Sequence, residues 1–320
     1  MSALLSIQDL HIGIRRRRSV DEIVRGVTIE VEAGEKVGIV GESGSGKTLT
    51  MLSVLRLLAS PPLSVLSGEV LLDGEDLARV DVKRLRAVRG GDIAMVYQDP
   101  MSSLNPLLRV GGQIEEALRA HGADSATAQS RTRDVLQEVG LDDPERVRTS
   151  FPHQLSGGMI QRVMIAMALA TSPRVLIADE PTTALDVTVQ AQVLDLLRAL
   201  RAEQGMSLVL ITHNLAVAAG NCDRIAVMYA GEIVETGPAA RVLNAPRHPY
   251  TVGLLRSHPS LDDPEAPLLP IPGRIPDPGS WPSGCRFAPR CSRHVAACDA
   301  PQKLRSVPDG AVRCCQAAIA

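Results

Sequence analysis

The run Gly41-Glu42-Ser43-Gly44-Ser45-Gly46-Lys47-Thr48 has residue types and spacing suited to holding a polyphosphate. It fits G-x-x-x-x-G-K-[ST], a loop that wraps its backbone around nucleotide phosphates. Its glycines let successive N–H groups point into one concavity, and a helix N-terminus behind them favours negative charge. In that setting the Lys47 ammonium reaches the β- and γ-phosphates, and the Thr48 hydroxyl binds magnesium. The flanks supply the order this loop requires. Lys36-Val37-Gly38-Ile39-Val40 reads as a short buried strand, and Leu49 to Leu55 as the start of a helix. The sequence predicts a nucleotide site here.

A second set of residues can do chemistry on that nucleotide. Arg174 to Glu180 reads as a buried strand ending in two acids, where open α/β sheets bind ligands. Asp179 is expected to hold magnesium through its coordination shell, and Glu180 to polarise the attacking water as general base or positioning group. Leu155-Ser156-Gly157-Gly158-Met159 opens a helix from Ile160 to Ala170, and its glycines and serine make another anion cradle. One nucleotide does not need two cradles, so this one is expected to serve a nucleotide bound by a second subunit. The plainer reading is a serine N-cap followed by a glycine turn. Gln98 follows a strand at 93–97, and His213 follows a strand at 207–212, from which it is placed to contact the γ-phosphate. Ala184-Leu185-Asp186 reads as a turn into a helix over 187–201.

These residues need a scaffold of strands alternating with helices. Segments 4–14 and 27–32 alternate apolar and polar residues, as half-buried strands do. Arg15 to Arg18 between them reads as a solvated hairpin tip, with a phosphate or lipid contact as the alternative. Residues 99–155 carry amphipathic stretches around 110–121 and 126–140, a helical insertion. The apolar runs 174–179 and 207–212 suit strands buried on both faces of a mainly parallel sheet. The result is an α/β layered fold. With 320 residues, 45% hydrophobic and only 2% aromatic, its core is built from Leu, Val, Ile, Ala and Met. A net charge of −2 gives no global pull toward nucleic acid or anionic membrane. No apolar run approaches the roughly 18 residues that span a bilayer, and the first residues carry no signal-peptide pattern. A cytoplasmic chain is expected, with any membrane role supplied by a partner.

From about residue 251 proline becomes dense, and five of the six cysteines follow residue 284. Cys222 stands apart and reads as a small buried apolar residue. Cys285, Cys291, Cys298 and Cys314 are spaced C-x5-C-x6-C-x15-C, with Cys315 able to replace Cys314. That spacing is compatible with a four-thiolate site and does not choose the metal.

In order, the phosphate loop, Gln98, the 155–159 motif, the acidic strand, Asp186 and His213 resemble the ATP-binding subunits of ABC transporters. The resemblance covers residues 4–250. It implies a P-loop NTPase fold of ABC type, with a helical subdomain at about 99–155 and a small Cys/Pro-rich C-terminal extension over 251–320. It also implies ATP hydrolysis in a head-to-tail dimer. Each ATP would lie between Gly41 to Thr48 of one subunit and Ser156, Gly157 and Gly158 of the other. Gln98 would add to the magnesium site and link it to the transmembrane partner. Leu155 to Leu169, Asp186 to Gln192 and Arg247 to Leu255 are similar to the oligopeptide and dipeptide importer branch, where Met159 is common. Nickel and other small-solute importers share these features, and a soluble non-transport ABC ATPase is the more distant alternative. The branch implies two transmembrane permease subunits, a second ATPase subunit (itself or a related chain) and, indirectly, an extracytoplasmic solute-binding protein. It implies a peripheral place on the cytoplasmic face of the membrane and no nucleic acid. Pro282 to Cys291 resembles an extension that in some members binds a four-iron, four-sulfur cluster. One departure is plain: no Phe, Tyr or Trp precedes Tyr97, so the usual adenine-stacking aromatic is missing. Ile23, Val24 or an arginine from 15–18 are candidates to replace it.

Overall fold

The computed structural model describes residues 3–17, 19–183, 186–257 and 269–317. In chain order the elements begin with β1 (Leu5–Arg15), β2 (Val20–Val31), β3 (Lys36–Val40), α1 (Lys47–Val54), β4 (Leu63–Leu72) and β5 (Glu75–Asp76). Next come α2 (Val82–Ala87), β6 (Ile93–Val96), α3 (Pro100–Ser103), α4 (Val110–Ala120), α5 (Ser125–Glu138), α6 (Pro144–Thr149) and α7 (Gly157–Leu169). Then follow β7 (Val175–Asp179), α8 (Val187–Gln204), β8 (Ser207–Thr212), α9 (Leu215–Asn221), β9 (Arg224–Tyr229) and β10 (Glu232–Pro238). The chain closes with α10 (Ala239–Asn244), α11 (Pro249–Arg256), β11 (Arg305–Val307) and β12 (Gly310–Val312). They form two compact units, one of residues 1–79 with 210–320 and one of residues 80–209.

In the first unit β1 pairs antiparallel with β2 on one side and β4 on the other. Arg15 stands opposite Val20, so the arginine run does lead into a hairpin tip; Arg18 lies outside the described residues. Strand β2 begins earlier than the expected residue 27, because Asp21, Glu22 and Arg25 interrupt the alternation that marks a strand by sequence. A second group of strands carries the phosphate loop. β3 is buried from Val37 to Val40 and runs parallel to β9, as a strand covered on both faces should. β10 returns antiparallel to β9 and accepts β12, which in turn pairs with β11. The cysteine-bearing tail is thus sewn onto the strand group that supports the phosphate loop. Helix α11 runs through residue 251, with His248 as its N-cap, where Nδ1 accepts from the Tyr250 N–H at 3.1 Å. Cys222 is buried beside Gly38, and burial pushes its thiol up to about 12, so it is an inert core residue.

In the second unit β6 and β7 pair in parallel; α3 to α6 fall within the residues 99–155 read as a helical insertion, and α7 follows as the helix opened by Ser156. The core of these helices is Ile114, Val135, Leu136, Val147 and Val163, all buried. Asp124 and Asp143 start α5 and α6 by accepting from the N–H groups of Thr127 and Arg146 at 2.8 and 2.9 Å. Strand β8 carries residues of both units. Among the described residues, no helix is long and apolar enough to cross a membrane.

Candidate functional site

The phosphate loop leaves β3 at Val40 and enters α1 at Lys47. Two glycines are required by geometry. A Cβ on Gly41 would meet the Met228 carbonyl oxygen at 2.1 Å, and Gly46 has φ 102°, which L side chains avoid. Ser45 is buried, whereas Ser43 and Gly44 are exposed at the crest. Lys47, only 4% exposed, curls its ammonium into the loop and donates to Gly41 O, Glu42 O and Ser45 Oγ at 2.7, 2.9 and 3.4 Å. A buried cation ringed by backbone suits a polyanion bound at the loop mouth. Thr48 is half-buried in the first turn of α1. His213 is exposed at the end of β8 in the same unit, one residue before Asn214, whose side chain caps α9.

Three of the six aromatic residues gather beside this loop. Tyr229, Tyr250 and Phe287 stack in tilted and edge-on pairs with centroids 4.6 to 5.4 Å apart. The Tyr250 hydroxyl accepts from the Glu42 N–H at 2.9 Å, and burial pushes its pKa up, keeping it neutral. His248, fully buried on Phe287, is held down to about 3 by desolvation and stays uncharged. Sequence reasoning marked Arg247 to Leu255 only by resemblance; its contact with the phosphate loop lies across 208 positions and has no local signal. Of the candidates for the adenine contact, Val24 is fully buried and packs beside Gly46. Arg16 pairs with Asp21.

The second unit brings Gln98 and Glu180 together. The Glu180 Oε2 accepts from Gln98 Nε2 at 3.3 Å and from Thr183 Oγ1 at 2.9 Å. Glu180 sits at φ 45°, an uncommon conformation for a non-glycine residue, which turns the chain sharply at the end of β7. Asp179, one residue earlier, is buried. Ser156 caps α7, accepting from the Met159 N–H at 3.3 Å, and Ser156 and Gly157 are exposed while Gly158 is half-buried. The plain N-cap reading of Ser156 is therefore met, and the exposed Ser156 and Gly157 leave its helix end open. Asp186 likewise caps α8 through the Val189 N–H at 2.9 Å; Ala184 and Leu185 lie outside the described residues.

The tail cysteines converge. Cys285, Cys291, Cys298, Cys314 and Cys315 all line one pocket, together with His248, Phe287 and Arg293. The Sγ atoms of Cys298 and Cys315 are 3.5 Å apart, while Cys314 also packs on Val307, Val312 and Ala317. Burial, with the Cys298 and Cys314 thiols nearby, pushes Cys285 up to about 11. Among the described residues, no three His, Cys, Asp or Glu side chains are drawn together closely enough to hold a single metal ion.

A buried parallel strand, a glycine loop curled around a lysine and a helix behind it define a phosphate-loop nucleotide-binding ATPase. Residues 24–183 match the ABC transporter family, and residues 234–298 match the oligopeptide/dipeptide transporter C-terminal region. The chain is 49% identical over 97% of its length to a protein of Brucella abortus named a peptide import ATP-binding protein, covering 94% of it. A similarly named protein of Brucella ovis is 49% identical over 93% of the chain and 91% of its own length. A solved dimeric ATP-binding cassette bound to ADP and Pi superposes with TM-score 0.65 at 28% identity, covering 73% of this chain and 98% of that one. The chain belongs to the ABC transporter family, as one of its ATPases.

Proposed function

We propose that this chain is the ATP-hydrolysing subunit that energises ABC-type import of oligopeptides or dipeptides. The observation that carries this reading is the union of a phosphate loop with residues 234–298, which match the oligopeptide/dipeptide transporter C-terminal region and whose Tyr250 bonds the loop itself. Its partners are two permease subunits and a second ATPase subunit, with a solute-binding protein acting through the permeases. Its place is the cytoplasmic face of the membrane. Functionally the chain divides into an ATP-binding domain over 1–250 and an importer extension over 251–320.

ATP binds at Gly41 to Thr48, and Ser156, Gly157 and Gly158 of a second subunit complete its enclosure. Support comes from the exposed N-terminus of the 13-residue α7, which has no intrahelical use for its first N–H groups. Asp186, as the cap of α8, fixes the turn after Glu180. The Thr48 hydroxyl, the Asp179 carboxylate and the Gln98 amide oxygen are hard donors suited to magnesium, which would neutralise charge on the phosphates. Glu180 takes the proton of the attacking water, and His213 contacts the γ-phosphate.

The test uses the Glu180→Gln protein with ATP and magnesium as bait in gently solubilised native membranes. Two multi-spanning permeases and an ATPase partner are expected in the mass spectrum, and their cargo neighbours name the solute. Recovery of ribosomes, DNA or no membrane protein overturns the transport reading.

The thiol pocket is assigned to a four-iron, four-sulfur cluster held by Cys285, Cys291 and Cys298 with Cys314 or Cys315. The support is that five thiols line one pocket. Such a cluster would be held by thiolates and would tie three loops of the tail together. Protein purified without oxygen should be brown and contain iron and acid-labile sulfide in equal amounts, both lost in Cys291→Ser. A colourless zinc-loaded or metal-free protein removes the assignment.

A further inference from the structure

Glu42, the second residue of the phosphate loop, is held from outside the loop at two points. Its N–H is bound by Tyr250, and its carboxylate by Arg290, with Nη1 at 3.2 and 3.0 Å from the two oxygens. Arg290 is itself fixed. Its side chain is 5% exposed, lies 5.7 Å from the Tyr229 ring centroid, and donates to Pro272 O and Ile271 O at 2.8 and 3.3 Å. Glu42 is 30% exposed, so the pair is partly buried, and it is screened less than a fully exposed surface pair.

Arg290 belongs to the short loop between Cys285 and Cys291, and every large side chain of that loop points toward the nucleotide end of the unit. Arg286, 2% exposed, donates to Ala230 O and to Ile23 O, under the ring of Trp281. The next residue, Gly231, donates its N–H to Ser45 O in the phosphate loop at 2.8 Å. Phe287 completes the Tyr229–Tyr250 cluster. The loop is tied back to the thiol pocket by the Cys285 N–H, which donates to Cys298 O at 2.8 Å.

Electrostatics gives Arg290 a consequence for ATP. A carboxylate on the rim of a loop built for polyphosphate repels its ligand, and a paired guanidinium cancels that repulsion while fixing the backbone that carries it. We propose that Arg290 is a positioning residue for the phosphate loop: acting through Glu42, it sets ATP affinity and links the thiol-bearing loop to the nucleotide site. A residue that only fastened the tail would affect stability and leave affinity alone.

The inference rests on ATP binding at Gly41 to Thr48. The experiment is calorimetric titration of the full chain with magnesium and the non-hydrolysable analogue AMP-PNP. Arg290→Gln should weaken binding roughly five- to tenfold, within the range of couplings between charged neighbours, and Arg290→Lys should recover most of it. The double variant Glu42→Gln with Arg290→Gln should bind at least about threefold more tightly than Arg290→Gln alone, because the unpaired charge is gone. Recovery of affinity in the double variant without recovery of its melting temperature separates the role from structural support. Unchanged affinity in Arg290→Gln, or a double variant as weak as the single one, overturns the proposal. Wild-type protein that does not bind AMP-PNP would instead overturn the nucleotide site itself.

Discussion

Glu180→Gln should lower ATP turnover by roughly 10²- to 10⁴-fold while ATP binding persists, the range expected for loss of a general base. The substitution keeps the shape of the side chain and an oxygen able to accept from Thr183 Oγ1, which holds Glu180 Oε2 at 2.9 Å. What it removes is the carboxylate proposed to take a proton from water. The positive φ of Glu180 matters for the choice of variant, since the sharp turn at 45° is held by its neighbours and is indifferent to carboxylate or amide. Steady-state hydrolysis beside equilibrium ATP binding measures both halves of the expectation. Wild-type turnover in this variant would remove Glu180 from the reaction.

Lys47→Ala should weaken ATP binding roughly ten- to hundredfold, corresponding to about 1.5–3 kcal/mol for hydrogen bonds to a charged group. Two losses add. The phosphates lose their cation, and the carbonyls of Gly41 and Glu42 lose the donor that now holds them at 2.7 and 2.9 Å. Lys47→Arg should fail as well, because a planar fork is too wide for a cation enclosed by its own loop. Titration with ATP at fixed magnesium measures the change. Binding within twofold of wild type would mean that the nucleotide is held elsewhere.

The strand that ends before Glu180 and the helix that Lys47 begins were both legible from the chain alone, and the reason is locality. The glycine spacing, the strand before it and the helix after it lie within 20 residues, so residue type and order suffice to imply the geometry. The buried runs that became β7 and β8, and the amphipathic stretches that became α4 and α5, are equally local signals. Strand β2 was legible only in part, since charged residues at its start hide the period of two.

The tail shows where local reading ends. Its cysteines announce a thiol site, but their spacing does not say that all five face one pocket. Strands β11 and β12 have three residues each, too short for any periodicity, and they exist because β10 offers an edge to pair with. Trp281 reaches Glu22 O across 259 positions and Arg290 reaches Glu42 across 248. The amino-acid sequence determined the nucleotide chemistry of this protein, because a phosphate cradle is a continuous stretch of backbone. Only the tertiary structure decided that the cysteine-bearing loop grips that cradle, because such contacts join residues whose sole common property is the surface on which folding brings them together.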